Sequence, residues 1–204
     1  MLHNPQNTIA GLSVFDAIYS RRSVRKFTND QVDPDMIDEL LDAAIQAPCA
    51  MHEELCAFVV IQDPVILSEL SKEIKNQIKL HDVAHSSFSR HATDIVNNEK
   101  FEVFYGANTL IIICSQFDRK FTSADCWLAA ENLMLAALGK DLGTCVIGFA
   151  IDTLNTAQWK RKLNIPADAK VIAPIIVGKP TGTIQTVSRK PPLIYSWKAL
   201  ALSS

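Results

Sequence analysis

Several common sequence features are missing from this chain, and each absence excludes a class of protein. The longest apolar runs, such as residues 109–114, are far shorter than the ~20 residues that a bilayer crossing needs. The N-terminus lacks a basic start followed by a long apolar run, so we expect no signal peptide. The chain has 20 basic and 22 acidic residues, so it lacks the excess of positive charge that is typical of nucleic-acid-binding proteins. We therefore expect a cytoplasmic protein that binds neither membrane nor nucleic acid.

Motifs for nucleotide binding and for nucleophilic catalysis are also missing. The chain has no GxGxxG turn, no GxxxxGK(S/T) loop and no GxSxG elbow. A phosphate group, if the protein binds one, must therefore be held by side chains.

Disulfide and metal sites are not expected either. The five cysteines are an odd number with no CxxC pair, and the cell interior keeps such thiols reduced. His81, His85 and His91 have a spacing that suits a metal on a helix, but no carboxylate or cysteine completes the set. We predict no metal site, and we interpret the polar, weakly patterned residues 81–101 as a lid over a pocket.

The chain has no Gly-Ser-rich or Pro-rich linker and no internal repeat, so we predict a single domain over residues 1–204. Ser13 and Asp33 precede two helices, the second with a proline at its first position. Predicted strands cover residues 57–62, 109–115, 145–150 and 171–178, with a helix around residues 153–163 between the last two. Because helices and strands alternate only loosely, the pattern favours an α+β sheet over a doubly wound one.

A long helix points to a partner subunit. It is predicted to begin after a cap at Thr122 or Ser123 and to run to about Asp141, with Gly143 as its C′ glycine. Over residues 126–138 it is apolar on most of its circumference, which is typical of a helix buried on all sides. In a chain of 204 residues a second copy is the better cover, so we predict a homodimer.

The end of the chain has a different character. Residues 181–193 contain Pro, Gly, Ser and Thr and show no helical period. Such a stretch buries little by itself. We interpret residues 181–204 as an extended arm that lies on another surface.

A basic segment is the best candidate for holding a phosphate. Residues 21–27 read Arg-Arg-Ser-Val-Arg-Lys-Phe, and alternate residues of an extended segment point the same way, so Arg21, Ser23 and Arg25 can converge on one ligand. Guanidinium forks match phosphate oxygens, and a hydroxyl adds a donor. The alternative is that Arg21 and Arg22 only complement the C-terminal end of the preceding helix, with Arg25 and Lys26 in solvent.

Five short blocks stand in order between residues 13 and 192. They are residues 21–27; residues 47–50 with the strand 58–61; residues 106–107 with the strand 110–114; residues 129–133 with 142–148; and residues 174–180 with 188–191. Together they resemble the FMN-binding nitroreductase family. The resemblance implies a mostly antiparallel sheet flanked by helices, with a C-terminal arm that embraces the partner subunit.

The resemblance also implies which residues hold the cofactor FMN. Arg21 and Ser23 match contacts to its phosphate, and Arg25 matches a contact to its pyrimidine edge, where a cation stabilises the reduced flavin. The full set of matched positions is Arg21, Arg22, Ser23, Arg25, Pro48, Cys49, Ala50, His52, Val146, Ile147, Gly148, Arg189 and Lys190.

Three stretches of that set have implied places around the flavin. Residues 48–52 match a loop that reaches the partner's flavin, and residues 146–148 match a segment beside the isoalloxazine whose N–H groups face N5. Arg189 and Lys190 match a basic tail that returns to the phosphate.

One block departs from the family pattern. Relatives commonly read Pro-Ser-x-x-Asn-x-Gln-Pro-Trp where residues 48–56 read Pro-Cys-Ala-Met-His-Glu-Glu-Leu-Cys. His52 can hydrogen-bond the flavin edge in place of the asparagine, whereas the S–H of Cys49 is a weak donor. The departure concerns the acceptor side of the site more than the phosphate side.

The implied activity needs no catalytic acid, base or nucleophile from the protein. Hydride passes from NAD(P)H to FMN and then to a nitroaromatic, quinone or similar planar acceptor in a two-electron ping-pong exchange, and the protein orients the reactants and tunes the flavin. Two alternatives stay open: a flavin-binding module of the same fold with little turnover, and a flavoenzyme of different chemistry, such as dehalogenation or metabolite oxidation.

Overall fold

Four strands and six α-helices form the part of the chain that the structure describes. The structure is a computed structural model, and it describes residues 12–52, 56–84, 98, 101–182 and 188–198. The helices are α1 (Val14–Ser20), α2 (Pro34–Ile45), α3 (Pro64–Ala84), α4 (Thr122–Leu138), α5 (Ile151–Leu154) and α6 (Ala157–Lys162). The strands are β1 (Cys56–Ile61), β2 (Thr109–Ser115), β3 (Gly143–Val146) and β4 (Lys170–Gly178).

The four strands form one antiparallel sheet in the order β1-β2-β4-β3. Helices α3, α5 and α6 cover one face through side chains such as Leu70, Leu154 and Trp159. Helices α2 and α4 cover the other face through Leu40 and Leu133. The central strands β2 and β4 are buried on both faces, which explains their continuous apolar sequence. The predicted α+β fold with a mostly antiparallel sheet is confirmed.

The first two helices begin where their capping signals predict. The Ser13 hydroxyl accepts the N–H of Asp16 at 3.1 Å, and the Asp33 carboxylate accepts the N–H of Asp35 at 2.9 Å. Each side chain satisfies one of the N–H groups that a helix start leaves unpaired.

The predicted ends of the long helix α4 are wrong. Thr122 is its first residue and not its cap; the Thr122 hydroxyl instead donates to the Phe117 and Arg119 carbonyls at 3.1 and 3.0 Å. The helix ends at Leu138. Gly143 is not its C′ residue but the first residue of β3, where another segment crosses it closely.

The predicted strand over residues 145–150 is also wrong in its second half. The ladder between β3 and β4 ends at Val146 opposite Ile175. The next residue, Ile147, still donates its N–H to the Pro174 carbonyl at 2.9 Å, but proline has no N–H to return. Residues 148–150 form a short 3₁₀ turn instead. The predicted helix over residues 153–163 is two helices, because the Thr156 hydroxyl starts a new one by accepting the Trp159 N–H at 3.3 Å.

Large apolar side chains are exposed on one side of the single chain. Trp127 and Leu128 of α4 are 42% and 46% exposed, and Phe15 and Tyr19 of α1 are 71% and 72% exposed. Helix α4 packs against the sheet and against α2, but Trp127 and Leu128 stay partly exposed in the single chain, so the predicted all-round burial is not met by this chain alone. Among the described residues, no helix has both the length and the apolar character to cross a bilayer.

Candidate functional site

The basic segment of residues 21–27 lies along the β3 edge of the sheet. Ser23 pairs in parallel with Thr144 of β3, and Phe27 pairs with Pro180 beyond the end of β4. The Val24 N–H donates to the Thr144 carbonyl at 2.9 Å, which fixes the segment through its main chain. The pairing gives the segment the extended form in which alternate side chains point the same way.

Two glycines make this close crossing possible. Gly143 and Gly178 lie opposite each other in the β3–β4 register. A Cβ atom at Gly143 would stand 2.6 Å from a Val24 Cγ atom, and one at Gly178 would stand 2.9 Å from a Phe27 ring carbon. Real Cβ contacts are essentially never this short, so glycine is required where the segment crosses the sheet edge.

Three polar side chains of the segment converge on one buried atom. Burial raises the pKa of the Cys145 thiol, and Arg25, the Ser23 hydroxyl and Arg21 each act to lower it. A single thiol of β3 therefore feels all three side chains. Arg21, Ser23 and Arg25 therefore lie near the same thiol of β3, with Ser23 and Arg25 exposed.

Arg21 is held by a residue that sequence reasoning missed. Its Nε atom lies 3.2 Å from the Glu131 carboxylate, and the two side chains are 22% and 45% exposed. Glu131 lies in the fourth sequence block, yet no spacing rule connects α4 with residue 21. The ion pair leaves the remaining N–H groups of the Arg21 fork available to another acceptor.

Arg22 behaves differently from its neighbours. Its Nη1 atom donates to the Tyr19 and Arg21 carbonyls at 2.7 Å each, so Arg22 closes the end of α1 as the alternative interpretation expected. Arg22 and Val24 border a groove of about 220 Å³ that also touches Arg21. Neither Ser23 nor Arg25 lines that groove, so the candidate phosphate side is the other side of the segment, above Cys145.

Tyr105 is a second residue that sequence reasoning missed. The Arg25 guanidinium lies 5.9 Å from the centre of the Tyr105 ring, and Phe101 meets the same ring edge-on at 5.4 Å. Burial raises the pKa of Tyr105, and Arg25 partly opposes that rise. Tyr105 and Gly106 have φ of +54° and +79°, a tight reversal in which a non-glycine residue is strained. In the sequence, only Gly106 of the third block indicated a chain reversal next to Tyr105.

The loop of residues 48–52 is held by one carboxylate. Both oxygens of Asp125, in the first turn of α4, accept the Ala50 N–H at 3.2 Å. Pro48 is exposed, and Cys49 and Ala50 are half-buried. Met51 has a φ of +58° and is 79% exposed. The main chain of His52 completes a short turn, and its side chain lies outside what the structure describes.

Residues 146–148 turn away from the sheet at the site. Val146 is half-buried, and Ile147 is buried with its N–H already bonded to Pro174. Gly148 is exposed, and a Cβ atom there would meet nothing within 4 Å. As the first residue of a helical turn, Gly148 is where an N–H without an internal partner is expected. Of the three N–H groups, that of Gly148 is the one best placed to meet a ligand.

Arg189 and Lys190 belong to a described stretch, residues 188–198, that is exposed along its whole length. Among the described residues, no contact joins this stretch to the basic segment, so its return to a phosphate stays a prediction. Of residues 81–101, the side chains of 81–84 and all of 85–97 and 99–100 lie outside the described part, and with them the histidines considered for a metal. Among the described residues no cluster of metal ligands is found.

Comparisons with known proteins agree with the five blocks. The model of the nitroreductase family matches residues 18–179. The protein DrgA of Synechocystis is 30% identical over 186 residues, covering 83% of this chain and 85% of DrgA. A protein of Archaeoglobus fulgidus, provisionally named NADH dehydrogenase/NAD(P)H nitroreductase, is 24% identical over 168 residues, covering 80% of this chain and 83% of its own.

Solved structures agree as well. A Bacteroides fragilis nitroreductase with bound FMN superposes with a TM-score of 0.78 at 26% identity, covering 91% of this chain and 99% of that one. The family match spans well over half of the chain, from α1 to the end of β4. The chain therefore belongs to the nitroreductase family and is, as a member of it, an oxidoreductase.

Proposed function

We propose that the protein is an FMN-dependent NAD(P)H oxidoreductase that reduces nitroaromatic, quinone or similar planar acceptors by two-electron hydride transfer. The observation that carries the proposal is the convergence of Arg21, Ser23 and Arg25 beside Cys145 at the edge of the sheet. An FMN-bound relative of known structure and the NAD(P)H in a relative's name support it.

The residues at this edge fit an anionic ligand. Arg21, Ser23 and Arg25 supply charge-assisted and hydroxyl donors, which suit the oxygens of a phosphate. Charge-assisted hydrogen bonds contribute about 1.5–3 kcal/mol each, so two or three of them account for much of a micromolar affinity.

The chain's own residues would then position the reactants. Bound FMN supplies the hydride-accepting and hydride-donating ring. Arg25 would hold positive charge toward the pyrimidine edge, Gly148 would leave room and an N–H for the ring, and residues 48–52 would border the acceptor. Arg189 and Lys190 would close on the phosphate from the C-terminal tail. No proton-transfer residue of the protein is required, because orientation and electrostatics suffice for this chemistry.

Removing the Arg21 guanidinium tests the cofactor site. The purified protein should be yellow, and Arg21→Ala should weaken FMN binding by about 10- to 150-fold, the range expected for one charge-assisted contact. Lys26→Ala is the matched control, since it removes one exposed positive charge from the same segment. Equal FMN affinity in the two variants, measured by fluorescence titration, would remove the cofactor assignment.

Anaerobic mixing separates the enzyme from the alternatives. Rapid bleaching of bound FMN by NADH or NADPH, followed by recovery of colour with a quinone or a nitroaromatic, supports the proposal. Bleaching that only a halogenated phenol reverses indicates dehalogenation. No bleaching by either nicotinamide indicates a binding module or a flavoenzyme that oxidises a metabolite.

Dimerisation is part of the proposal. The apolar surface formed by Phe15, Tyr19, Trp127 and Leu128 is exposed in the single chain, and so are Tyr195 and Trp197 of the tail, at 94% and 80%. Exposed aromatic side chains of this number mark an interaction surface, and an arm of residues 181–204 around a second copy would cover them. Sedimentation should give a dimer; a stable monomer that retains FMN would contradict it. The single domain over residues 1–204 and the cytoplasmic location likewise stay predictions.

A further inference from the structure

Two cysteines lie against each other next to the loop of residues 48–52. The Sγ atoms of Cys56 and Cys126 are 3.5 Å apart, although the residues are 70 positions apart in the chain. Cys56 is the first residue of β1 and is partly exposed, whereas Cys126 in α4 is fully buried. All five cysteines of the chain are free thiols.

The two sulfurs differ in chemical character. The two sulfurs share a hydrogen bond in which Cys56 is the donor while both are thiols. Its interaction with Cys126 lowers the pKa of Cys56, although burial and Asp125 oppose the effect. The same hydrogen bond and burial raise the pKa of Cys126. Thiolates are the nucleophilic form of cysteine, so the accessible sulfur is the reactive one and the buried sulfur is placed to react second.

A buried hydroxyl accompanies the pair. Ser115 of β2 lies directly opposite Cys56 in the β1–β2 register, so the two side chains stand on the same face of the sheet. Ser115 is fully buried, and its Oγ atom has no hydrogen-bond partner among the described residues. Buried hydroxyls normally have a partner. An oxygen added to the Cys56 sulfur would supply one.

We propose that Cys56 and Cys126 form a reversible dithiol–disulfide site that hydrogen peroxide oxidises and a dithiol reductant restores. The inference depends on the two thiols and Ser115 and not on the proposed flavin. An S–S bond is about 2.05 Å long, so the two sulfurs, now 3.5 Å apart, need to approach by about 1.5 Å.

The chemistry balances in two steps. The Cys56 thiolate attacks one peroxide oxygen and the O–O bond breaks; with one proton this gives a sulfenic acid at Cys56 and one water. The Cys126 sulfur then attacks the Cys56 sulfur, the S–O bond breaks, and the Cys126 proton leaves with the hydroxide as a second water. In total two thiols lose two electrons and two protons, and one peroxide is reduced to two waters.

The bridge would connect β1 with α4, the helix that also holds residues 48–52. Asp125, the neighbour of Cys126 in α4, already holds the loop through the Ala50 N–H. A disulfide would fasten Cys56, the first residue of β1, to the same helix. The oxidation state of the pair would therefore set how firmly the start of β1 is held to α4.

Peroxide treatment of the purified full-length protein tests the site. We expect two of the five thiols to be lost, a mass lower by two hydrogens, and one cross-linked peptide pair that contains Cys56 and Cys126. Dithiothreitol should restore both thiols. A disulfide between other cysteines, oxygen added at Cys56 without a bridge, or five unchanged thiols would each overturn the proposal.

Variants assign the two roles. Cys126→Ala should leave a sulfenic acid at Cys56 that dimedone traps, and Cys56→Ala should form no bridge. Cys114→Ala is the control and should still form it, because burial raises the pKa of Cys114 to about 11 and keeps its thiol unreactive. A dimedone adduct at Cys126, or a bridge lost in Cys114→Ala, contradicts the assignment.

A measurement on the unmodified chain keeps the proposal testable if a variant does not fold. Iodoacetamide at neutral pH should alkylate Cys56 at least about 100-fold faster than Cys114, since two units of pKa separate the ordinary 9.0 from about 11. Prior peroxide treatment should abolish the labelling of Cys56. Equal rates at the two cysteines would overturn the proposed asymmetry.

Discussion

The basic segment of residues 21–27 and the loop of residues 48–52 both belong to the predicted set of cofactor contacts, but they are held in different ways. Main-chain pairing with Thr144 and the missing Cβ atoms of Gly143 and Gly178 fix the segment. The loop is held by the Asp125 carboxylate at a single N–H, and it begins beside an exposed proline. A position fixed by backbone tolerates few changes, whereas one fixed by a side chain can be retuned.

This difference accounts for where the chain departs from the family pattern. The block predicted to hold the phosphate keeps the family's Arg-Arg-Ser-x-Arg-x-Phe, and it is the part that the sheet edge holds. The departure lies in residues 48–56, of which residues 48–52 are held by the Asp125 carboxylate. Substitutions that displace residues 21–27 should therefore weaken FMN binding, and substitutions that release residues 48–52 should change how the acceptor is bound.

The largest effect is expected from a methyl group at the crossing point. Gly143→Ala would place a Cβ atom 2.6–2.9 Å from three Val24 side-chain atoms, so the segment must move. Overpacking of this kind costs about 1–3 kcal/mol of unfolding free energy, and we expect FMN binding to weaken by about tenfold or more. Chemical denaturation and FMN titration measure the two effects.

Two further variants make that test specific. Gly139→Ala, at the end of α4, should change stability by less than about 0.5 kcal/mol, because its new Cβ atom would be no nearer than 3.4 Å to its neighbours. Adding Val24→Ala to Gly143→Ala should recover part of the FMN affinity, since two of the three close atoms are removed. Full affinity in Gly143→Ala alone would show that the crossing does not position the site.

A smaller effect is expected from substituting Asp125, and it should appear mainly in the KM for the acceptor. Asp125→Ala leaves the Ala50 N–H without its acceptor and should cost about 1–3 kcal/mol. Under reducing conditions, which exclude the Cys56–Cys126 bridge, the KM for the acceptor should rise several-fold while FMN affinity changes less than in Arg21→Ala. Asp125→Asn keeps one acceptor oxygen and should lie between. If FMN affinity falls most, the two regions are not separable.

The sequence predicted those features of the fold that local rules determine. The Ser13 and Asp33 caps and the apolar strand of residues 109–115 are confirmed, because each depends on neighbours within a few residues. Gly143 was misplaced because it fitted a helix end equally well, and only Val24, about 120 positions away, reveals its role.

The contacts of the candidate site also divide into those that depend on near neighbours and those that depend on distant residues. The alternation of Arg21, Ser23 and Arg25 could be predicted, since an extended segment has a fixed period of two. Glu131 and Asp125 could not be linked to residues 21 and 50, because α4 meets both stretches only through tertiary packing. An acidic residue on a helix is most often solvated, so the sequence carried no signal for either contact.

The smallest effect is a shift in the ionisation of the thiol beneath the basic segment. The folded pKa of Cys145 is raised above the ordinary 9.0, so the folded state keeps a proton that the unfolded state loses. The contribution of the Cys145 thiol to the free energy of unfolding is therefore complete below pH 9 and is lost as the pH rises through the folded pKa.

Arg25→Ala should raise the pKa of Cys145 further, because a positive charge that favours the thiolate is removed. A bound phosphate dianion should act in the same direction by neutralising the arginines, and NMR of isotope-labelled cysteine follows each thiol separately. Cys114, which the segment does not touch, should keep its midpoint, and so should Cys145 in Lys26→Ala. An unchanged or lower Cys145 midpoint in Arg25→Ala would mean that the segment does not direct its charge at this point, and the backbone-held region would lose the feature that sets it apart from the loop.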